Sequence, residues 1–214
     1  WIRKHAEDYD VNIDHQSDNI GEIAVQGPQA EATLKKVTGL DAVAGLTFYT
    51  FGHFKIYGDN DVIISRTGYT GEDGFEVYAP HDITRRLWDD LIAAGAKPCG
   101  LGCRDTLRFE VGLPLYGDEL ADDISPIEAS LGMFVKTDKP EFIGRDAVLA
   151  QKTDGAPRKL VGLEILDRAI ARHGAEVLDA DDNVIGTVTT GYRGISVDKS
   201  LAMALVDSRF AAID

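Results

Sequence analysis

The residues best suited to chemistry are gathered in one stretch, Ser65 to Tyr78, which reads SRTGYTGEDGFEVY. It sets a carboxylate, Glu76, just beyond three glycines spaced every third residue, Gly68, Gly71 and Gly74. A short β-branched run, Asp61 to Ile64, precedes the glycines, and Phe75 to Tyr78 alternates apolar and polar after them. Two strand signals around a glycine-rich connector predict a hairpin-like turn whose backbone takes positive φ or is approached closely. On the return strand Phe75 and Val77 share one face, Glu76 and Tyr78 the other. With the first pair turned to a core, Glu76 stands at the rim of the glycine loop. Its carboxylate offers two in-plane acceptors, matched to the two parallel N–H donors of a guanidinium or an amino-pyrimidinone edge. The same spacing also fits an ordinary glycine-rich turn with a solvated glutamate. It is not a phosphate loop: the order is GxxGxxG, no lysine follows, and the loop runs into a strand rather than a helix.

A second candidate is Arg104, in GLGCRDTLRFEVG (Gly100 to Gly112), a glycine-rich entry into a short helix ended by Gly112. A cation in the first turn opposes the helix dipole at a cost of about 0.3–1 kcal/mol, partly offset here by Asp105. That placement suits an anionic neighbour, and equally a salt bridge to Asp105, Glu110 or Asp118. Leu107 and Val111, at i and i+4, are expected to point inward. Cys99 and Cys103 form C-x3-C with no histidine nearby, a poor zinc pattern, so buried thiols in a reducing compartment and no metal are expected. Ser196 and Lys199 match S-x-x-K in a loop rather than at a helix start, without a supporting motif.

The elements that must hold these residues follow from pattern. Ile20 to Gln26 reads as a strand, and Gln26-Gly27-Pro28 turns into a helix with Gly39 at its C′ position. Phe48 to Tyr57 and Asp61 to Ile64 are joined by Gly58-Asp59-Asn60, strong turn chemistry. Pro80 to Ala94 reads as a helix with an apolar stripe of Ile83, Leu87, Trp88, Leu91 and Ile92. This order predicts an α+β unit with helices on one face of an antiparallel sheet. Ser125-Pro126-Ile127-Glu128 is a capping box opening a short helix that ends near Gly132. Another helix runs from Gly144-Arg145-Asp146 to about Lys152. After Gly155, short alternating strands separated by turns predict a small β-barrel. Its last strand ends at Val206, leaving Asp207 to Asp214 to close the sheet, so the barrel is expected to be incomplete and the chain cut at both ends.

A chain of 214 residues, 44% hydrophobic and 27% charged, has room for one large or two modest globular domains. No apolar run approaches the roughly 20 residues of a membrane helix. A net charge of −14 argues against nucleic acid and anionic membranes as partners. The chain opens at Trp1 rather than Met, so a processed or trimmed start is expected.

Arg66-Thr67-Gly68-Tyr69-Thr70-Gly71-Glu72-Asp73-Gly74-Phe75-Glu76 resembles the signature of the T-protein of the glycine cleavage system, the folate-dependent aminomethyltransferase. The resemblance continues in order through Gln26-Gly27-Pro28, Gly100-Leu101-Gly102, Arg104 to Arg108, Leu113 to Gly117, Ser125 to Glu128, Phe142 to Arg145 and Gly186 to Thr189. It implies three domains in a clover-leaf around a folate channel. Residues 1–140 would hold the later part of the folate-binding domain, 141–155 a linker helix, and 156–214 most of the terminal barrel. The implied reaction moves an aminomethyl group from lipoylated H-protein to tetrahydrofolate, releasing ammonia, without a metal. Glu76 would accept the paired N–H donors of the pterin, Tyr69 would line the same site, and Arg104 would hold an anionic or carbonyl group of the folate. No nucleophile is required; placement and charge stabilisation would carry the catalysis. The implied location is cytoplasmic, or the mitochondrial matrix in a eukaryote.

Departures accompany the resemblance. The family's catalytic Asp lies upstream of Trp1, and its aromatic-rich C-terminal end is absent, so this chain alone is expected to bind folate weakly and transfer little. Met133 stands where several relatives carry Trp. Two other classes share the fold signature: a folate-dependent demethylase half, and a non-catalytic folate-binding module of iron–sulfur assembly or tRNA modification. The latter's K-G-C-Y-type motif does not match the neighbours of Cys99 or Cys103.

Overall fold

Alternation of apolar and polar residues sets the first sheet. The computed structural model describes residues 1–212; Ile213 and Asp214, the end of the expected barrel segment, lie outside the described residues. The chain forms two compact units that divide between Cys99 and Gly100. The first contains α1 (Ile2–His5), β1 (Ile20–Gln26), α2 (Ala30–Thr38), a 3-10 turn (Asp41–Gly45), β2 (Phe51–Ile56), β3 (Asn60–Ser65), β4 (Gly74–Pro80) and α3 (His81–Ala93). Its four strands pair antiparallel in the order β1-β4-β3-β2, so β4 is central.

One face of this sheet is buried: Ile23, Val25, Val62, Ile64, Phe75, Val77 and Ala79 pack with Leu34 of α2 and Ile83, Leu87 and Leu91 of α3. At about 1.5–3 kcal/mol for each large apolar side chain removed from water, this layer holds the sheet under its helices. The expected facing of β4 is observed, Phe75 and Val77 inward, Glu76 and Tyr78 half-buried on the other side. Gly39 ends α2 in the left-handed region at φ 71°, where a side chain would be strained. Two details differ from expectation. The β2 strand starts at Phe51, because Tyr49 takes φ 64° and leaves Phe48 and Tyr49 exposed. In α3, Trp88 and Ile92 lie outside the core, since the face toward the sheet is already filled by residues at i, i+4 and i+8.

The second unit contains α4 (Leu101–Glu110), a 3-10 turn (Gly132–Phe134), α5 (Arg145–Asp154), β5 (Arg158–Ile165), β6 (Glu176–Leu178), β7 (Val184–Arg193), β8 (Ser200–Asp207) and a 3-10 turn (Ser208–Phe210). Its sheet is antiparallel and open, in the order β5-β8-β7-β6. Val188, Ala202, Ala204 and Val206 form its core. The expected α+β class, with an antiparallel sheet and packed helices followed by a barrel-like sheet that does not close, is the fold observed.

Cys99 at the end of the first unit and Cys103 in α4 are exposed rather than the buried thiols expected. Two further corrections concern the second unit. Leu107 and Val111 do not point inward: they are 37% and 49% exposed, and α4 buries Arg108 and Phe109 instead. The capping box closes reciprocally, Ser125 N–H to Glu128 Oε2 at 2.9 Å and Glu128 N–H to Ser125 Oγ at 3.1 Å, but it makes a single turn. Ser130, at φ 61°, ends the helical path at once. Among the described residues no helix is long and apolar enough to cross a membrane.

Candidate functional site

Glu76 occupies the middle of the sheet face that carries no core. Cross-strand register places it in a row with Ala24 on β1, Ser65 on β3 and, beyond, Phe51 on β2. Strands flank it on both sides, and its shortest neighbour in the row is Ala24. Two hydroxyls converge on one carboxylate oxygen: Thr67 Oγ1 donates to Glu76 Oε2, and Tyr78 OH donates to the same atom at 3.5 Å. Ser65 Oγ stands 2.6 Å from Thr67 Oγ1. Burial, followed by the charges of Glu76 and Glu22, pushes the Tyr78 hydroxyl above its usual range, so it remains a donor at neutral pH. The carboxylate is therefore oriented before any ligand arrives.

The glycine loop, residues 66–73, joins β3 to β4 as the hairpin the spacing predicts. Its glycines serve different ends. Gly71 takes φ 76°, a turn conformation that side chains resist. Gly68 and Gly74 make room for a neighbour: a Cβ on Gly68 would fall 1.9 Å from Gln26 Oε1, and one on Gly74 2.4 Å from Gln26 Nε2. Gln26, opposite Gly74 across the β1–β4 pair, donates through Nε2 to Thr67 O at 3.1 Å and Phe75 O at 3.4 Å. Its Oε1 accepts from Thr70 Oγ1 at 3.1 Å. Below the loop, Arg66 forks onto Asp73 at 2.9 and 2.6 Å and reaches Glu31 at 3.0 Å. That guanidinium holds the Asp73 carboxyl below its ordinary range. Tyr69 sits half-buried in the same loop. Sequence reasoning took Gln26 as a turn residue and missed this role; the glycine spacing signalled a close approach but not its source, which lies more than 40 positions away.

Arg104 belongs to the second unit, exposed in the first turn of α4 after the N-cap Gly100. Its helix is anchored one turn further on by Arg108, whose side chain is wholly buried. Arg108 donates to Asp105 at 2.6 Å, Glu119 at 2.7 Å, Leu113 O at 3.0 Å and Thr190 Oγ1 at 3.0 Å. Thr190 in turn donates to Glu119 Oε1 at 2.6 Å. A β-bulge in β7 between Val188 and Thr190 turns that hydroxyl to the network. The S-x-x-K match is taken up structurally: Ser196 Oγ donates to Glu110 at 2.6 Å and Lys199 pairs with Glu164 at 2.8 Å.

A cavity of about 730 Å3 opens in the second unit beside β7, lined by residues that include Arg158, His173 and Asp207. Glu76, Tyr69 and Arg104 do not line it. Among the described residues, no group of three His, Cys, Asp or Glu side chains could hold a metal ion.

The sequence and the fold have counterparts in known proteins. The GCVT N-terminal domain model matches residues 1–139, and the glycine cleavage T-protein C-terminal barrel domain model matches residues 158–214. An aminomethyltransferase of Caldanaerobacter subterraneus subsp. tengcongensis is 51% identical over 217 residues, which take in 100% of this chain and 58% of the relative. One from Lysinibacillus sphaericus is 50% identical over 218 residues, 100% of this chain and 59% of the relative. The crystal structure of glycine cleavage system aminomethyltransferase T from Bartonella henselae superimposes with a TM-score of 0.88 at 35% identity, over 99% of this chain and 57% of that one. The chain thus spans under two thirds of the length of the relatives it matches. With both domain models matching in order, the chain belongs to the glycine cleavage T-protein family.

Proposed function

We propose that this chain carries the folate-gripping part of an aminomethyltransferase of the glycine cleavage system, which passes the aminomethyl carbon from lipoylated H-protein to tetrahydrofolate with release of ammonia. Residues 1–140 supply the later part of the folate-binding domain, 141–155 a linker helix and 156–214 a portion of the barrel, in a reducing, cytoplasmic compartment. Tetrahydrofolate enters as a co-substrate.

The observation that carries this reading is Glu76: a half-buried carboxylate in the central strand, on the face away from the core, with two hydroxyls converging on its Oε2. A flat heterocycle presenting two parallel N–H groups matches such an acceptor, and Ala24 leaves one flank of the row low. Tyr69 would line the same loop, and Arg104 would hold an anionic or carbonyl group of the folate. These residues bind and orient; the chain's contribution to rate is placement of the reacting atoms. Relatives about half identical over the whole chain are named aminomethyltransferases, which supports the same chemistry here.

Titration of the full-length protein with 5-formyltetrahydrofolate tests the reading. Glu76→Ala is expected to weaken binding by about tenfold or more, the range of a charge-assisted hydrogen-bonded pair. Unchanged affinity would overturn the assignment. Assaying the same protein with lipoylated H-protein against sarcosine-type donors separates the aminomethyltransferase from a demethylase.

A further inference from the structure

The Gln26 amide is placed to govern the loop's shape rather than merely to fill it. Its nitrogen binds two carbonyls, Thr67 O in the loop just after β3 and Phe75 O in β4. Thr67 is the residue whose hydroxyl holds the Glu76 carboxylate, and Phe75 immediately precedes Glu76. One NH2 group therefore sets the spacing between a hydrogen-bond donor and the strand that carries its acceptor. Two carbonyls on one side and the Thr70 hydroxyl on the other require an amide there; a carboxylate of the same length would put oxygen against oxygen. Gly68 and Gly74 are the sequence trace of this device, since a methyl group at either would overlap the amide.

We propose that Gln26 is a positioning residue for Glu76, holding Thr67 so that the carboxylate is presented in its binding orientation. This rests on the reading of Glu76 as the folate-gripping group. Gln26 acts through Glu76, so its contribution to affinity should vanish when Glu76 is gone. Preorganisation of this kind adds affinity by removing an ordering cost at the moment of binding.

The test is a double-mutant cycle in the full-length protein, titrated with 5-formyltetrahydrofolate well below the melting temperature. Gln26→Ala alone should weaken binding about tenfold, as loss of a charge-linked hydrogen-bond arrangement does. In the Glu76→Ala background the same change should alter affinity less than about twofold. Gln26→Met, similar in length but without the hydrogen bonds, serves where the alanine variant fails to fold. A structural readout accompanies the cycle: Gly68→Ala should lower the melting temperature in the Gln26 protein and be relieved in the Gln26→Ala protein, because Gly68 does not take positive φ and the three atoms nearest an added Cβ all belong to the Gln26 amide. If Gln26→Ala binds folate as tightly as the parent while Glu76→Ala binds weakly, the inference is overturned and the folate reading stands. Additive losses likewise overturn it, showing a role independent of the carboxylate. If Glu76→Ala itself binds normally, the folate reading falls and takes this inference with it.

Discussion

Arg108 and Glu119, both fully withdrawn from solvent, face each other at 2.7 Å in the second unit. The pair is tied further to Asp105, Thr190 and the Leu113 carbonyl, so the charges are compensated as well as buried. Taking one partner away leaves an uncompensated charge, whereas replacing both with apolar groups removes the desolvation cost as well. Arg108→Met is expected to destabilise this unit by about 3–5 kcal/mol, more than Glu119→Leu, because Asp105, Asp118 and Glu119 then all lose their cation. The double variant should cost clearly less than the sum. Urea unfolding of the four proteins measures this, and strict additivity would refute the coupling.

Thr67 supplies the hydroxyl on the Glu76 carboxylate. Thr67→Val keeps the shape and removes the donor, and should lower folate affinity about tenfold, equivalent to about 1.4 kcal/mol. Thr67→Ser should retain most of the affinity. Equal binding by the valine variant would show that the carboxylate needs no orientation.

Glu128 predicts an acid limit for the second unit. Burial pushes its carboxyl up, but the Arg158 guanidinium at 2.7 Å and the Ser125 N–H outweigh burial and hold it below the ordinary 4.5. A carboxyl lowered by folding contributes stability that is complete above its unfolded value and lost as pH falls through the folded one. Melts between pH 3 and pH 7 should therefore show a wild-type advantage over Glu128→Gln that is constant above about 4.5 and shrinks below it. An advantage that grows in acid would contradict the assignment.

Neighbouring residues in α3 should respond very differently to truncation. Leu87 is completely buried and Trp88 is 44% exposed. Leu87→Ala should cost about 2–5 kcal/mol through lost transfer energy and the cavity left behind. Trp88→Ala should cost under about 1 kcal/mol. Thermal melts of the two variants decide the matter, and a reversed order would move the helix face.

What could be read from the chain itself was local and periodic. Period-two alternation placed Phe75 and Val77 inward and Glu76 outward, and Gly39 marked the end of α2, because each depends on a few adjacent residues. The inner face of α4 was misjudged for a physical reason. Periodicity assigns apolar residues to the core, and Arg108 is buried only because carboxylates 3 and 11 positions away neutralise it and a hydroxyl 82 positions away accepts its remaining N–H. Gln26 escaped notice in the same way, since its partners at Thr67 and Phe75 stand 41 and 49 positions off. Polar networks that close through space leave no period in the sequence.

The order β5-β8-β7-β6 leaves the second sheet with two outer rims. A carbonyl from Glu128 meets the β5 rim at Leu160, while the opposite rim is the three-residue β6. Rows of amide hydrogens and oxygens at such margins are templates onto which another chain can knit. Concentrated preparations of these residues are thus expected to self-associate by lateral strand exchange, and brevity at β6 is the main brake the fold itself provides.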